Sequence, residues 1–124
     1  MSASDGDNPV SLHPEVQLQE CTRLLGAIQQ ELRRLDCWAA VPPPVERFAS
    51  TLPFCVDTLS IEQWLQFVFL PRMQALLDAG AELPRGSGLA AYAEVCFRDQ
   101  MAARRELITL LKAMDELLVA PVVH

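Results

Sequence analysis

Four cysteines, two histidines and sixteen carboxylates are the side chains of this 124-residue sequence most able to hold a metal or attack a substrate. The cysteines are Cys21, Cys37, Cys55 and Cys96, widely separated and with no C-x-x-C pair. His13 and His124 stand near the two ends. Structural zinc is held by clustered pairs of ligands, so neither a metal nor a cofactor is expected. Cys55 lies between Phe54 and Val56, and neither histidine is placed to activate it. It reads as a buried thiol rather than a nucleophile. Asp57 and Glu62 are two carboxylates near an expected helix start. Acid–base chemistry would need a pocket and a third group beside them, and a salt-bridge or helix-dipole role is simpler. No Ser-His-Asp or Cys-His-Asn set and no glycine-rich phosphate loop is present. No catalytic residue is assigned, and a non-enzymatic protein is expected.

The elements that would position these groups are helical. Nineteen Leu and fifteen Ala stand against ten Val and three Ile, a composition that favours helix over strand. Residues 1–13 are small, polar and acidic and are expected to be a disordered tail, leaving 14–120 as a single helical domain. Pro14 suits a first helical turn. Cys21, Leu24, Leu25, Ile28, Leu32 and Leu35 then form one apolar stripe with helical spacing. Residues 37–59 hold the triplet Pro42-Pro43-Pro44, which forbids regular helix, yet they are rich in apolar side chains. The spacing predicts an ordered strap packed across the helices, with a short helical turn near Val45–Ala49. Ser60-Ile61-Glu62-Gln63 fits a capping box, and Gly80 a left-handed helix end. Between them Pro71 lacks an N–H and predicts a kink. Leu89, Tyr92, Val95 and Cys96 open a third helix, and Leu107 to Leu118 carry a broad apolar face on the same or a fourth helix. The fold class expected is all-α: a bundle of three or four helices with an extended proline-containing strap and a proline-kinked second helix.

Net charge is −6, which argues against direct nucleic-acid binding. Arg98, Arg104 and Arg105 are interleaved with Asp99 and Glu106 and read as a solvated face. No segment is apolar and long enough to span a bilayer. The first residues carry neither a basic nor an apolar leader region, so a cytoplasmic setting with reduced thiols is expected. All eight aromatics fall between Trp38 and Phe97, which predicts aliphatic outer helices around an aromatic middle. Those aromatics either complete the core or are partly exposed as an anchor patch. Asp57 and Arg72 either pair, fixing the strap to the second helix, or stay independent, or meet a ligand. Gln66 satisfies a strap backbone group or the carbonyl freed by Pro71, or is exposed. The candidate interaction patch is Trp38, Phe54, Asp57, Trp64, Gln66 and Arg72.

Pro53-Phe54-x-x-Asp57-Thr58, followed by Trp64-Leu65-Gln66 and then Pro71-Arg72-Met73, is a distinctive pattern at fixed spacing. It resembles the YqcC-like family of small bacterial proteins, over about residues 15–119 and most strongly over 50–80. The resemblance implies a compact helical bundle and brings no established activity or catalytic residue. Genes of that family often neighbour a tRNA pseudouridine synthase, which implies an association with RNA modification. Two functional readings result. The first is a non-enzymatic interaction module that binds a protein partner or a second copy of itself. The alternative is an accessory factor associated with tRNA modification, partnering a pseudouridine synthase.

The two places open to Trp64 differ in stability. If it is core, Trp64→Ala loses about 3–5 kcal/mol in urea unfolding. A loss below about 1 kcal/mol would put the indole on the surface.

Overall fold

Apolar stripes at helical spacing dictate most of what forms. The computed structural model describes residues 13–85 and 88–119, so the expected disordered tail lies outside the described residues apart from His13. Helix α1 is Pro14–Arg34. The strap follows, with 3-10 turns at Val45–Ala49 and Pro53–Cys55. Then come α2 (Ile61–Trp64), a π-helical turn (Leu65–Phe69), α3 (Leu70–Ala79) and α4 (Leu89–Cys96). A 3-10 turn at Arg98–Gln100 leads into α5 (Met101–Val119). Leu65 and Leu70 have helical backbone angles, so α2, the π-turn and α3 form one continuous segment. Four helical bodies result, with no strand among the described residues. The third and fourth helices are therefore separate, joined through the Arg98–Gln100 turn.

The α1 stripe forms as its spacing requires. Cys21, Leu24, Leu25, Ile28 and Leu32 are buried, while Leu35 is only half-buried at the helix end. α1 packs on α5 and on α3, and α4 packs on α5. From α5 the core takes Leu107, Ile108, Leu111, Met114, Leu117 and Leu118. Each large aliphatic side chain so buried contributes about 1.5–3 kcal/mol. Aliphatic helices α1 and α5 thus pack together, and the aromatics gather where the strap meets α2 and α4. Asp36, at φ 61, ends α1: its N–H donates to the Arg33 carbonyl (3.0 Å), and the Cys37 N–H to the Leu32 carbonyl (2.8 Å). This is a left-handed helix end built on aspartate where glycine is the usual choice.

The composite α2–α3 segment starts and stops where its sequence says. Ser60 Oγ accepts from the Gln63 N–H (3.1 Å), and Gln63 Oε1 accepts from the Ser60 N–H (3.0 Å). Gly80, at φ 64, closes it, with the Ala81 N–H donating to the Leu76 carbonyl (2.9 Å). Pro71 disturbs the segment in a particular way. The ladder closes from the Leu70 N–H back to the Leu65 carbonyl, one residue further than in an α-helix. A π-turn, one of the usual causes of a bend, thus stands just before Pro71, where the kink was expected.

The strap is ordered, but only part of it packs inward. Trp38, Phe48, Phe54 and Cys55 lie against the core, and Leu59 is buried. Val41 and Val45 are 74% and 77% exposed, and Leu52 and Val56 are also exposed. Gln66 ties the strap down. It is itself buried within the π-turn, its Oε1 accepts from the Ala39 N–H, and its Nε2 donates to the Ala39 carbonyl, both at 2.8 Å. Gln66 therefore serves the strap backbone and is not exposed. Further along, Thr58 Oγ1 donates to the Arg47 carbonyl (2.7 Å), and Arg47 Nη1 donates to the Thr58 carbonyl (3.2 Å).

Helix α4 begins without a local cap, since Gly88 has no side chain to offer. Asp115 of α5 supplies one. Its two carboxylate oxygens accept from the Leu89 N–H (3.1 Å) and the Ala90 N–H (2.9 Å). An anion at a helix N-terminus also meets the positive end of the helix dipole.

Two substitutions test these ties. Asp115→Ala is expected to lower the unfolding free energy by about 1–2 kcal/mol in urea titrations. Asp115→Asn, which keeps one acceptor, should lose less; equal stability of all three proteins would remove the cap from the account. Gln66→Ala leaves both Ala39 groups without their partner and is expected to lose about 1–3 kcal/mol. The Ala39 amide should then exchange with solvent at least about tenfold faster, and unchanged exchange would show that the strap is held elsewhere.

Candidate functional site

The six residues of the candidate patch do not share one exposed surface. Trp64 is only 9% exposed and Gln66 is buried, so both belong to the interior. Trp38 is half-buried, with the Arg33 guanidinium 4.6 Å from its ring centre. That distance suits a cation–π contact. Phe54 is half-buried and holds the aromatic middle together. It stacks on Tyr92 (4.5 Å, 8° between planes) and meets Trp64 edge-on (5.0 Å, 78°). Trp64 in turn stacks on Phe69 at 5.6 Å.

Asp57 and Arg72 are both exposed, and among the described residues they form no ion pair. Asp57 has a nearer partner: Ser50 Oγ donates to its Oδ1 (2.5 Å), and the Leu52 N–H donates to Ser50 Oγ (3.1 Å). The aspartate thus folds the strap onto itself and does not reach the helix. Arg72 is left as a free cation among the described side chains.

Between the strap and the composite helix lies a half-open cleft of about 520 Å³. Phe48, Leu52, Phe54, Trp64, Phe67 and Val68 form its walls. Polar atoms of Ser50, the strap backbone and Arg72 share the lining, and Arg72 is the one residue there with a permanent charge. One wall runs through Phe54 and Cys55, two successive non-glycine residues at φ 59 and 49. Such a conformation is held only when its surroundings over-determine it, and it clusters at binding sites. Of the patch residues, Phe54, Trp64 and Arg72 contribute to this cleft, whereas Trp38, Asp57 and Gln66 do not. Phe48, Phe67 and Val68 are contributors that the sequence pattern did not single out. Their helical and strap positions carry no signal of a shared concavity.

Two thiols are shifted away from reactivity. Burial pushes Cys21 up to about 11, and it also raises Cys37. Both shifts run opposite to those of a thiolate nucleophile. Cys55, expected to be buried, is only half-buried, as is Cys37; Cys96 is exposed and Cys21 is fully packed. Burial likewise raises the Tyr92 phenol to about 12. Among the described residues, no three His, Cys, Asp or Glu side chains are grouped to hold a metal ion. Arg104 leaves the expected solvated face. It lies within 3.9 Å of Glu62 and 5.3 Å from the Phe97 ring centre, joining the start of α2 to α5. Among the described residues, no helix is long and apolar enough to cross a membrane.

Comparison with known proteins places this architecture. An uncharacterised protein of Haemophilus influenzae is 41% identical over 93 residues, covering 75% of this chain and 87% of that protein. The uncharacterised protein YqcC of Escherichia coli is 33% identical over 108 residues, covering 87% and 94%. A protein of Pectobacterium carotovorum named tRNA pseudouridine synthase C is 55% identical over 58 residues, which is 47% of this chain but 15% of that longer protein. The solution structure of Escherichia coli YqcC superposes with a TM-score of 0.76 at 30% identity, over 87% of this chain and 92% of that one. A family model described as tRNA pseudouridine synthase C matches residues 20–117. With that match over most of its length and with relatives covered nearly end to end, the chain belongs to the YqcC-like family.

Proposed function

We propose that this chain is a non-enzymatic, cytoplasmic interaction module that binds a tRNA pseudouridine synthase and acts as its accessory protein. One observation carries the reading. In the Pectobacterium relative, a segment 55% identical to part of this chain lies within a much longer protein that is named tRNA pseudouridine synthase C. Joining two modules in one polypeptide keeps even a weak docking contact engaged, because the second contact becomes intramolecular. A free-standing module of the same kind would have to make that contact from solution.

The charge supports enzyme binding over tRNA binding. A chain of net charge −6 is repelled by a phosphate backbone, whereas a tRNA-binding enzyme must itself present basic surface. Burial raises both Cys21 and Cys37, which fits packing better than attack on a substrate. The outward Val41 and Val45 of the strap are apolar surface of the kind that an interface covers.

Sedimentation and calorimetry of the purified chain with the pseudouridine synthase of the same organism test the proposal. A one-to-one complex with a dissociation constant of about 10 μM or tighter is expected near physiological salt. No complex at about 100 μM of each protein would overturn it, and a stable homodimer under those conditions would shift the role to self-association. Binding of tRNA by the isolated chain, weakening steeply with salt, would instead mean direct RNA contact.

A further inference from the structure

We infer that the cleft between the strap and the composite helix receives an aromatic side chain with an adjacent carboxylate, presented by a short peptide segment of a protein partner. That the occupant belongs to a protein rests on the interaction role proposed above; the chemistry of the occupant rests on the cleft alone.

Its size comes first. About 520 Å³ lies within the range of small binding sites and accommodates an aromatic side chain with its flanking backbone. Its walls come second. Phe48 and Phe67 are half-buried rings on which an aromatic group can pack, backed by Phe54 and Trp64, and polar atoms, which suit a flanking backbone and a carboxylate, make up the larger share of the open lining. Charge comes third. Arg72 is the only permanently charged residue in the lining and makes no ion pair among the described residues. The nearby acid Asp57 is engaged by Ser50 and does not line the cleft. Arg72 is thus the one lining side chain able to form an ion pair with an anion, and a guanidinium is suited to a carboxylate.

Two features select a peptide over a free small acid. The cleft is half-open, whereas a small-molecule site encloses most of its ligand. Apolar surface also continues past its edge. Leu52, which lines the cleft, and Val56, next in the chain to the lining residue Cys55, are 48% and 49% exposed. An extended segment anchored by one ring would cover them with its neighbouring residues. The left-handed pair Phe54–Cys55 sets this wall, and its conformation is paid for by the fold before any partner arrives.

N-acetyl-phenylalanine and its neutral primary amide differ only in the carboxylate and serve as matched probes. With ¹⁵N-labelled chain, the acid is expected to shift amide resonances within 48–56 and 64–72. It should bind about fivefold or more tightly than the amide, at millimolar strength. Arg72→Gln lies at an exposed position and should erase that preference while leaving the rest of the spectrum in place. Shifts absent up to about 20 mM, shifts mapping elsewhere, or equal binding of acid and amide would overturn the inference. So would micromolar binding of the free acid, which would make the cleft a small-molecule site. Association with the synthase gives the second arm. Arg72→Gln and Phe48→Ser are each expected to weaken it about fivefold or more. If wild type binds the synthase and neither variant weakens binding, the cleft is not the docking point although the partner stands. If the cleft discriminates the probes but wild type does not bind the synthase, that partner fails and the cleft stands.

Discussion

The amide of Gln66 on the peptide groups of Ala39 is the contact on which the arrangement around the cleft depends. A proline-rich strap has neither a helical nor a strand ladder to satisfy its backbone, so its buried donors and acceptors need partners from elsewhere. A primary amide carries a donor and an acceptor side by side and can meet the N–H and the carbonyl of one residue together. Gln66 does so at 2.8 Å for each bond while itself almost excluded from water. At that burial both groups would be expensive to leave unpaired, so the strap has one favourable seat.

The π-turn explains how a polar residue comes to face inward between two apolar ones. Trp64, Leu65 and Gln66 are three consecutive buried residues, wider than the face an α-helix normally buries. Pro71 cannot donate, so the ladder before it has slack, and it closes from Leu70 to Leu65. The longer hydrogen-bonded turn takes in an extra residue. The strap is then pinned at Ala39, tied again between Arg47 and Thr58, and returned to the helix by the Ser60–Gln63 capping box. Between those ties Val41, Val45 and Leu52 are exposed, and Phe48 and Leu52 line the cleft.

What was legible in the sequence was local. The α1 stripe, the Ser60 box and the Gly80 stop are each decided within about one or two helical turns, and each forms where its residues require. The contacts that were not legible join distant positions. Asp115 caps a helix that begins 26 residues earlier, and nothing in its neighbourhood marks it as a cap. Asp36, Phe54 and Cys55 take left-handed angles without being glycine, so local preference points the wrong way at all three. For Asp57 a helix arginine, independent exposure and a ligand were all open, and the exposed carboxylate is met by the serine seven residues before it. The cleft is the furthest from legibility, because it is a property of two elements held apart by a third contact.

The pattern on which the family resemblance rests is therefore mostly a folding pattern. Phe54 is the ring on which Tyr92 and Trp64 pack, Thr58 closes the strap on Arg47, and Trp64 and Met73 are core. Gln66 is the clamp, and Pro71 is bound up with the π-turn that presents it. Each of these residues has a structural role among the described contacts. Arg72 does not: it is exposed, unpaired among the described residues, and lines the cleft that its neighbours in the pattern help to build. A cation that the fold itself does not use, carried within a segment otherwise devoted to folding, is where a binding role is left to reside.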